Sequence, residues 1–243
     1  MCRNCLFLIT MILVTILGCR EDFPATDLFP DMYPSRLIQI REGDNTIMTL
    51  EYDSLGRTQR VVQYAQSGDS SVTHLRYDSS SHLVLRKNAY ASDSLVFDVN
   101  GRLIRQITTF KNSPTIQTTH FSYVSGRLKS AKVFSGDTEI NHIEYSYDRS
   151  GNTTRRKCII TEYTFSYDQK PRPYKDLATL PLDIAQHNNP VYSKFYSAIM
   201  SSFPPEYEIV YEYRQDGLPL TETRTDKRSG ISTTLRYIYS EKN

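Results

Sequence analysis

The polar and apolar positions of this chain alternate in short runs that repeat. In Leu50-Glu51-Tyr52, Leu75-Arg76-Tyr77, Leu95-Val96-Phe97, Phe121-Ser122-Tyr123, Tyr145-Ser146-Tyr147, Phe165-Ser166-Tyr167 and Tyr211-Glu212-Tyr213, an apolar or aromatic side chain stands two residues before another aromatic. The residue between them is usually polar. Residues two apart lie about 200° from each other on a helix but share a face on a strand, so the pattern predicts strands with one apolar and one wet face.

Turn chemistry follows each aromatic. Where the unit is complete, Asp stands three residues before Gly, as in Asp53 and Gly56, Asp98 and Gly101, and Asp148 and Gly151; Asp216 and Gly217 close a shortened copy. An Asp at the first turn position accepts hydrogen bonds from backbone amides further on, and Gly tolerates the left-handed conformation that ends a type I turn with a bulge. Each unit therefore predicts a β-hairpin. The fold class expected is all-β: an antiparallel meander of consecutive hairpins, ten to fourteen strands in one twisted or curled sheet. An open sheet of that size rarely stays flat.

One stretch, from about 168 to 206, departs from the pattern and carries six prolines. Within it Asn189 as N-cap and Pro190 as first helical residue precede Tyr192, Phe195, Tyr196, Ile199, Met200 and Phe203, a stripe at helical spacing. The spacing predicts a helix from about Pro190 to Ser202, inside an insertion that covers part of the apolar face. Strands are expected to resume at Tyr207–Arg214 and Thr233–Tyr239.

Composition agrees with pleated sheet, with 18 Tyr, no Trp and turn residues at regular intervals. A net charge of +2 from 29 basic and 27 acidic residues is no footprint of a nucleic-acid partner. The N-terminus does change the picture. Arg3 and the apolar run Leu6 to Leu17 form a signal segment over residues 1–18, too short to span a bilayer. The run ends in Ile16-Leu17-Gly18-Cys19, which resembles a bacterial lipobox and implies lipidation of Cys19. Arg20-Glu21-Asp22 resembles the acidic export signal of Bacteroidota surface lipoproteins. The placement expected is the outer membrane through that lipid, with the cell surface and the periplasmic face both open. Residues 19–34 read as a tether and 35–243 as one domain. Cys2 and Cys5 leave with the signal segment, so Cys158 has no disulfide partner and reads as a packed strand residue.

The unit written out as Tyr147-Asp148-Arg149-Ser150-Gly151, with closer copies at Tyr52 to Arg57 and Phe97 to Leu103, resembles the YD repeat of Rhs-type and teneurin-like surface proteins. The order of features over the mature chain resembles uncharacterised YD-repeat-like lipoproteins of Bacteroidota. These features are the lipobox, the degenerate hairpins, Phe165-Ser166-Tyr167-Asp168 with Pro171, Pro173, Tyr174 and Leu177, then Asn188-Asn189, and a last unit from Tyr211 to Pro219. The resemblance implies a fold and a location and no chemistry.

Candidate chemistry is sparse. His142 and Glu144 share a strand face but are two ligands where a metal site needs three or four. Asp98-Val99-Asn100-Gly101 lacks the spacing of a calcium loop. Arg155-Arg156-Lys157 reads as a solvated strand end. No metal, cofactor or catalytic residue is expected. The expected role is non-enzymatic: binding or scaffolding at the cell surface, with a glycan or a surface protein as partner. Two alternatives stand beside it. An envelope hydrolase such as a glycosidase needs two facing carboxylates, and a remnant of an Rhs-type shell needs an enclosed cavity.

Overall fold

The computed structural model describes residues 35–172, 187–198 and 204–241. The signal segment, Cys19 and the tether to residue 34 lie outside the described residues. Sixteen strands follow one another in the chain: β1 (Ser35–Glu42), β2 (Asn45–Tyr52), β3 (Thr58–Tyr64), β4 (Ser70–Tyr77), β5 (Leu83–Lys87), β6 (Ala91–Phe97), β7 (Leu103–Phe110) and β8 (Ile116–Val124). They continue as β9 (Arg127–Ser135), β10 (Thr138–Tyr147), β11 (Thr153–Lys157), β12 (Thr161–Pro171), β13 (Asn188–Ser197), β14 (Glu206–Tyr213), β15 (Pro219–Asp226) and β16 (Ser232–Glu241). Each strand pairs antiparallel with its neighbours in sequence, and β1 pairs with β16, so the meander closes into a barrel. Closure exceeds the curling expected from the sequence, and the strand count exceeds ten to fourteen. Pairing the first strand with the last removes both open edges.

The helix expected from Pro190 does not form. Residues 190–197 are strand β13, in register with β12 through Tyr163↔Phe195 and Phe165↔Ser193 and with β14 through Tyr192↔Glu208. A helix here would leave the edges of β12 and β14 unpaired, and Val191, Tyr192, Phe195 and Tyr196 are good strand formers. The apolar stripe is split between the faces: Phe195 packs on Tyr163 while Tyr196 stands exposed. Residues 168–171 and 188–197 therefore belong to the wall and not to a covering insertion. The remainder of the expected helix, beyond Ala198, lies outside the described residues.

The predicted alternation sorts side chains between the two faces. Leu50, Leu75, Leu95, Phe121, Tyr145 and Tyr237 are buried on the inward face. Glu51, Arg76, Ser122, Glu144, Ser146 and Glu212 alternate with them and are exposed. Many cross-strand pairs on the outward face are polar, among them Arg60 with Glu51, Arg155 with Glu162 at 2.7 Å, Lys132 with Glu139 at 2.9 Å and Thr223 with Thr234 at 2.9 Å, while Val62 pairs with Val72, and Ile104, Val210 and Leu220 stand exposed as single apolar residues between them. A barrel that spans a bilayer shows the opposite order, an apolar belt outside and a polar interior.

Every second connection closes the same rim and carries a copy of the aromatic-and-turn unit, without the Asp at Tyr123-Val124-Ser125-Gly126. At Asp53 the carboxylate Oδ1 accepts from the Leu55 N–H at 3.0 Å and the Arg57 N–H at 2.9 Å, and Oδ2 accepts from Arg57 Nε at 2.8 Å. Asp98 repeats this with Asn100 and Arg102, and Asp148 with Asn152. Gly56 takes a φ of 80°, and a Cβ there would run into the Arg36 guanidinium. In the turn after Tyr213, which has the same length with Arg214 in the place of the first Asp, Asp216 caps the Leu218 N–H at 3.2 Å beside Gly217. The strand pairing shifts by one residue just before Tyr52, Tyr77, Phe97, Tyr123, Tyr147 and Tyr213, the bulge that such turns produce.

A second bond ties most hairpins to the strand before them. Tyr77 donates its hydroxyl to the Thr58 carbonyl at 2.8 Å, Tyr123 to Leu103 at 2.8 Å, Tyr147 to Leu128 at 2.6 Å, Tyr167 to Thr153 at 2.7 Å and Tyr239 to Pro219 at 2.8 Å. The preceding Arg lies over the ring, Arg57 over Tyr77 at 4.7 Å and Arg102 over Tyr123 at 5.5 Å. Where Phe97 has no hydroxyl, His82 replaces the Arg and stacks on it at 4.8 Å. Burial pushes the phenols of Tyr123 and Tyr147 up to about 12, so they remain donors. Tyr123→Phe should lower unfolding free energy by about 1 kcal/mol in a guanidinium titration, the usual worth of one such bond.

The turn carboxylates are linked to pH. In Asp98, amide hydrogen bonding from Arg102 and then its side chain hold the carboxyl below the ordinary 3.8; in Asp53, partial burial opposes the shift and the bonds from Arg57 outweigh it. A carboxyl lowered in the folded state contributes stability that is full above its unfolded value and is lost as pH falls through the folded one. Urea midpoints measured between pH 5 and pH 2.5 should therefore fall less steeply for Asp98→Asn than for the natural chain.

Candidate functional site

Sixteen strands make a barrel wide enough to keep an interior space. Among the described residues, many of the buried apolar side chains gather in two separate clusters. One runs along β6 to β11 through Leu95, Leu103, Phe121, Ala131, Ile143, Tyr145 and Cys158; the other joins β1, β2 and β16 through Leu37, Ile40, Leu50 and Tyr237. Cys158 packs in the first of these. The inward face between them, the lumen, is the concave surface of the molecule with the most concentrated chemistry.

Four clusters of polar side chains stand out in this inward face. On β6, Asp93 is only 4% exposed, although it lies in phase with Leu95 and Phe97. Its carboxylate receives Arg86 Nη2 at 2.5 Å and Nε at 2.7 Å, Thr108 Oγ1 at 2.6 Å and Gln106 Nε2 at 3.0 Å. On β15, Glu222 is 2% exposed, pairs with Arg224 and accepts the hydroxyl of Tyr237. The Arg224 side chain is 50% exposed, so water reaches the lumen at this level. Burial, then the charge of Glu222, pushes the Tyr211 phenol far above its ordinary value.

Nearer the Tyr–Asp rim, Asn189 is 1% exposed and serves as a clasp, not as the expected helix cap. Its Nδ2 donates to the Lys170 and Pro171 carbonyls at 3.2 and 3.1 Å, and its N–H to Asp168 Oδ1 at 3.1 Å. Asp168 Oδ2 accepts from Tyr213. Asn152, in the place of the unit's Arg, receives the N–H groups of His187 and Asn188 on Oδ1 at 2.9 and 3.0 Å. This network replaces one ordinary turn and fixes both ends of the longest connection in the barrel.

The fourth group is Arg156. The run Arg155-Arg156-Lys157, expected to be a solvated strand end, is divided by the pleat: Arg155 and Lys157 face out, and Arg156 faces in. It pairs in register with Tyr145 on β10 and Tyr163 on β12, with its guanidinium 5.0 Å over the Tyr163 ring. Arg86 and Arg224, which also point inward, each have a carboxylate; Arg156 has none among the described residues.

The remaining sequence candidates are surface features. Asp53, Gly56, Asp98, Gly101, Asp148, Gly151, Asp216 and Gly217 all stand in rim turns. His142 lies 3.5 Å from Glu139 on the outer wall, and no group of three potential metal ligands occurs among the described residues. The resolved carboxyl shifts of Asp53, Asp78, Asp98, Glu162, Glu206 and Asp226 are all downward, the direction of partnered carboxylates and not of general acids.

No protein-family model and no curated protein matches the chain. Solved structures do resemble it. A porin-like protein from Bacteroides uniformis ATCC 8492 superposes with a TM-score of 0.57 at 14% identity, over 85% of this chain and 95% of that one. A porin-like protein from Bacteroides vulgatus ATCC 8482 gives 0.54 at 10% identity, over 84% and 99%. At these identities the likeness establishes the barrel fold alone. The TcdB2-TccC3-Cdc42 complex is also similar, with a TM-score of 0.31 at 14% identity, covering 77% of this chain and 12% of that one, too remote to bear on the argument.

Removing one partner of a buried ion pair leaves the other charge uncompensated, which costs about 3–5 kcal/mol, whereas replacing both by apolar groups of similar size is often neutral. Asp93→Ala should therefore destabilise the barrel by about 3 kcal/mol in guanidinium, and the double variant Asp93→Leu/Arg86→Met should recover most of that loss.

Proposed function

We propose that this chain is a non-enzymatic cell-envelope lipoprotein, held to the outer membrane by a lipid on Cys19, whose barrel stands in water and takes a ligand into its lumen. The observation that carries this reading is the assignment of faces: ion pairs and hydroxyl pairs outside, and aromatic rings with a few paired charges inside. Concave, mostly apolar surfaces with a small number of placed polar groups are the usual form of a binding site. The buried carboxylates Asp93 and Glu222 are each neutralised by an arginine, which favours binding over acid–base catalysis.

The porin-like description of the two Bacteroides neighbours supports placement in the envelope. It does not extend to a pore through the bilayer, because the strands here offer lipid no apolar belt. The Tyr–Asp units and the ordered motifs support kinship with YD-repeat-like lipoproteins. Since β1 starts at the Tyr–Asp rim, a lipid on Cys19 would be attached to the chain on that side of the barrel.

Metabolic labelling with palmitate followed by membrane fractionation tests the anchor. The natural chain should take up label and sediment with outer membrane, and Cys19→Ala should lose both; equal labelling of the two would overturn it. Native mass spectrometry of the protein released from its own envelope should show a non-covalent small molecule, and turnover in a glycosidase screen would replace binding with hydrolysis.

A further inference from the structure

Resting on the reading of the lumen as a binding site, we infer that Arg156 and Tyr145 form an oxyanion subsite. It would take the carboxylate or phosphate head of an amphiphile whose apolar body lies along the aromatic wall. Two buried polar atoms face each other across one strand pair. Arg156 Nε and Tyr145 Oη are both buried, and neither has a hydrogen-bond partner among the described residues. Tyr145 is 3% exposed, and it stands directly opposite Arg156 in the register of β10 and β11. Buried donors of this kind are ordinarily satisfied, and leaving one unpaired costs about 1–3 kcal/mol.

The charge makes the same point independently. Asp93 and Glu222 balance Arg86 and Arg224, whereas Arg156 lies over the face of Tyr163 and has no carboxylate among the described residues. An inward cation without a carboxylate is costly for the empty barrel and is repaid by an anion. The two orphaned groups are both donors. Burial holds the Tyr145 phenol far above its ordinary value despite the lowering effect of Arg156, so it keeps its proton. A guanidinium N–H and a phenol O–H side by side match the two oxygens of a carboxylate or phosphate.

The surroundings select the rest of the ligand. Tyr163 packs against Phe195 at 4.7 Å between centroids and lies parallel to Phe165 at 6.2 Å, and Ile143 and Cys158 belong to the cluster around Tyr145. These groups offer almost nothing to the hydroxyls of a sugar. They suit an acyl or alkyl chain, whose burial contributes about 0.8 kcal/mol per methylene.

The test uses the full chain in lipid nanodiscs, with empty nanodiscs subtracted, and calorimetric titration of octanoate, octyl phosphate, octyl glucoside and inorganic phosphate. Octanoate and octyl phosphate should bind more tightly than octyl glucoside. Arg156→Gln should weaken both anions roughly tenfold or more and Tyr145→Phe by several-fold, while octyl glucoside is unchanged, since hydrogen bonds to charged groups are the strong ones. Retention of octyl glucoside binding by each variant shows that it is folded. Equal affinity of octanoate for the natural chain and Arg156→Gln, with octyl glucoside still bound, would overturn the subsite and leave the lumen reading intact. Inorganic phosphate binding as tightly as octyl phosphate would overturn the apolar half of the site. Binding of none of the four would overturn both the subsite and the lumen.

Discussion

The barrel depends on a bond that runs between hairpins and not within them: a tyrosine hydroxyl donated to a carbonyl of the previous unit, with that unit's arginine laid over the ring. Strand pairing alone would hold a meander together but would leave its curvature and its end unspecified, since an antiparallel sheet can extend or slip. The tyrosine bond sets how far each hairpin is offset from the last. It also closes the circle. Arg36 covers Tyr52, whose hydroxyl reaches the Leu37 carbonyl at 2.6 Å, and Arg214 covers Tyr239 and donates to Ser35 at 3.0 Å. Ser35-Arg36-Leu37 therefore occupies the place of a Gly-Arg-Leu turn end, and the pairing of β1 with β16 stands where the two strands of a turn unit pair elsewhere.

This arrangement explains why the unit persists while its letters change. Asp is needed to cap amides, Gly to take positive φ, and Arg to bridge its own Asp and the next Tyr. Each function tolerates a substitute when its neighbour adjusts. Ser81 takes a φ of 65° in the place of Gly, His82 stacks on Phe97 in the place of Arg on Tyr, and Asn152 gathers the backbone after the long connection.

The period of two made the strands and their faces legible in the sequence, because it is a local property that no tertiary contact has to supply. Closure was not legible. It depends on the pairing of Ser35 with Glu241, at opposite ends of the described chain, and nothing local announces it. The helix expected at Pro190 failed for a related reason: Asn189-Pro190 and the stripe after it satisfy helical rules, but two neighbouring strands with unpaired edges outweigh them. The lumen was half legible. Asp93 stands in phase with Leu95 and Phe97, an acid where the pattern calls for an apolar residue, and Arg156 lies one step out of phase with Arg155 and Lys157. Both signals lay within the alternation itself. What the sequence could not supply was the partner across the strand, which separates the balanced Arg86 from the unbalanced Arg156.

The repeat also divides labour along each strand. At the rim the residues are fixed by turn and stacking chemistry. Four residues beyond each turn's Arg or its replacement, the inward position is Ile40, Val61, Arg86, Gln106, Ala131, Arg156 or Glu222. These positions stand opposite Tyr237, Leu50, Leu75, Leu95, Phe121, Tyr145 and Tyr211. The first strand of each pair supplies a steady apolar surface, and the second supplies whatever the site requires. Nothing in turn formation, bulge or closure constrains that second position, so charge there is not a by-product of the fold. In a wall whose stability comes from the rim and from strand pairing, buried ions at one level of the lumen are an expense to folding, which the ligand proposed for the lumen would offset.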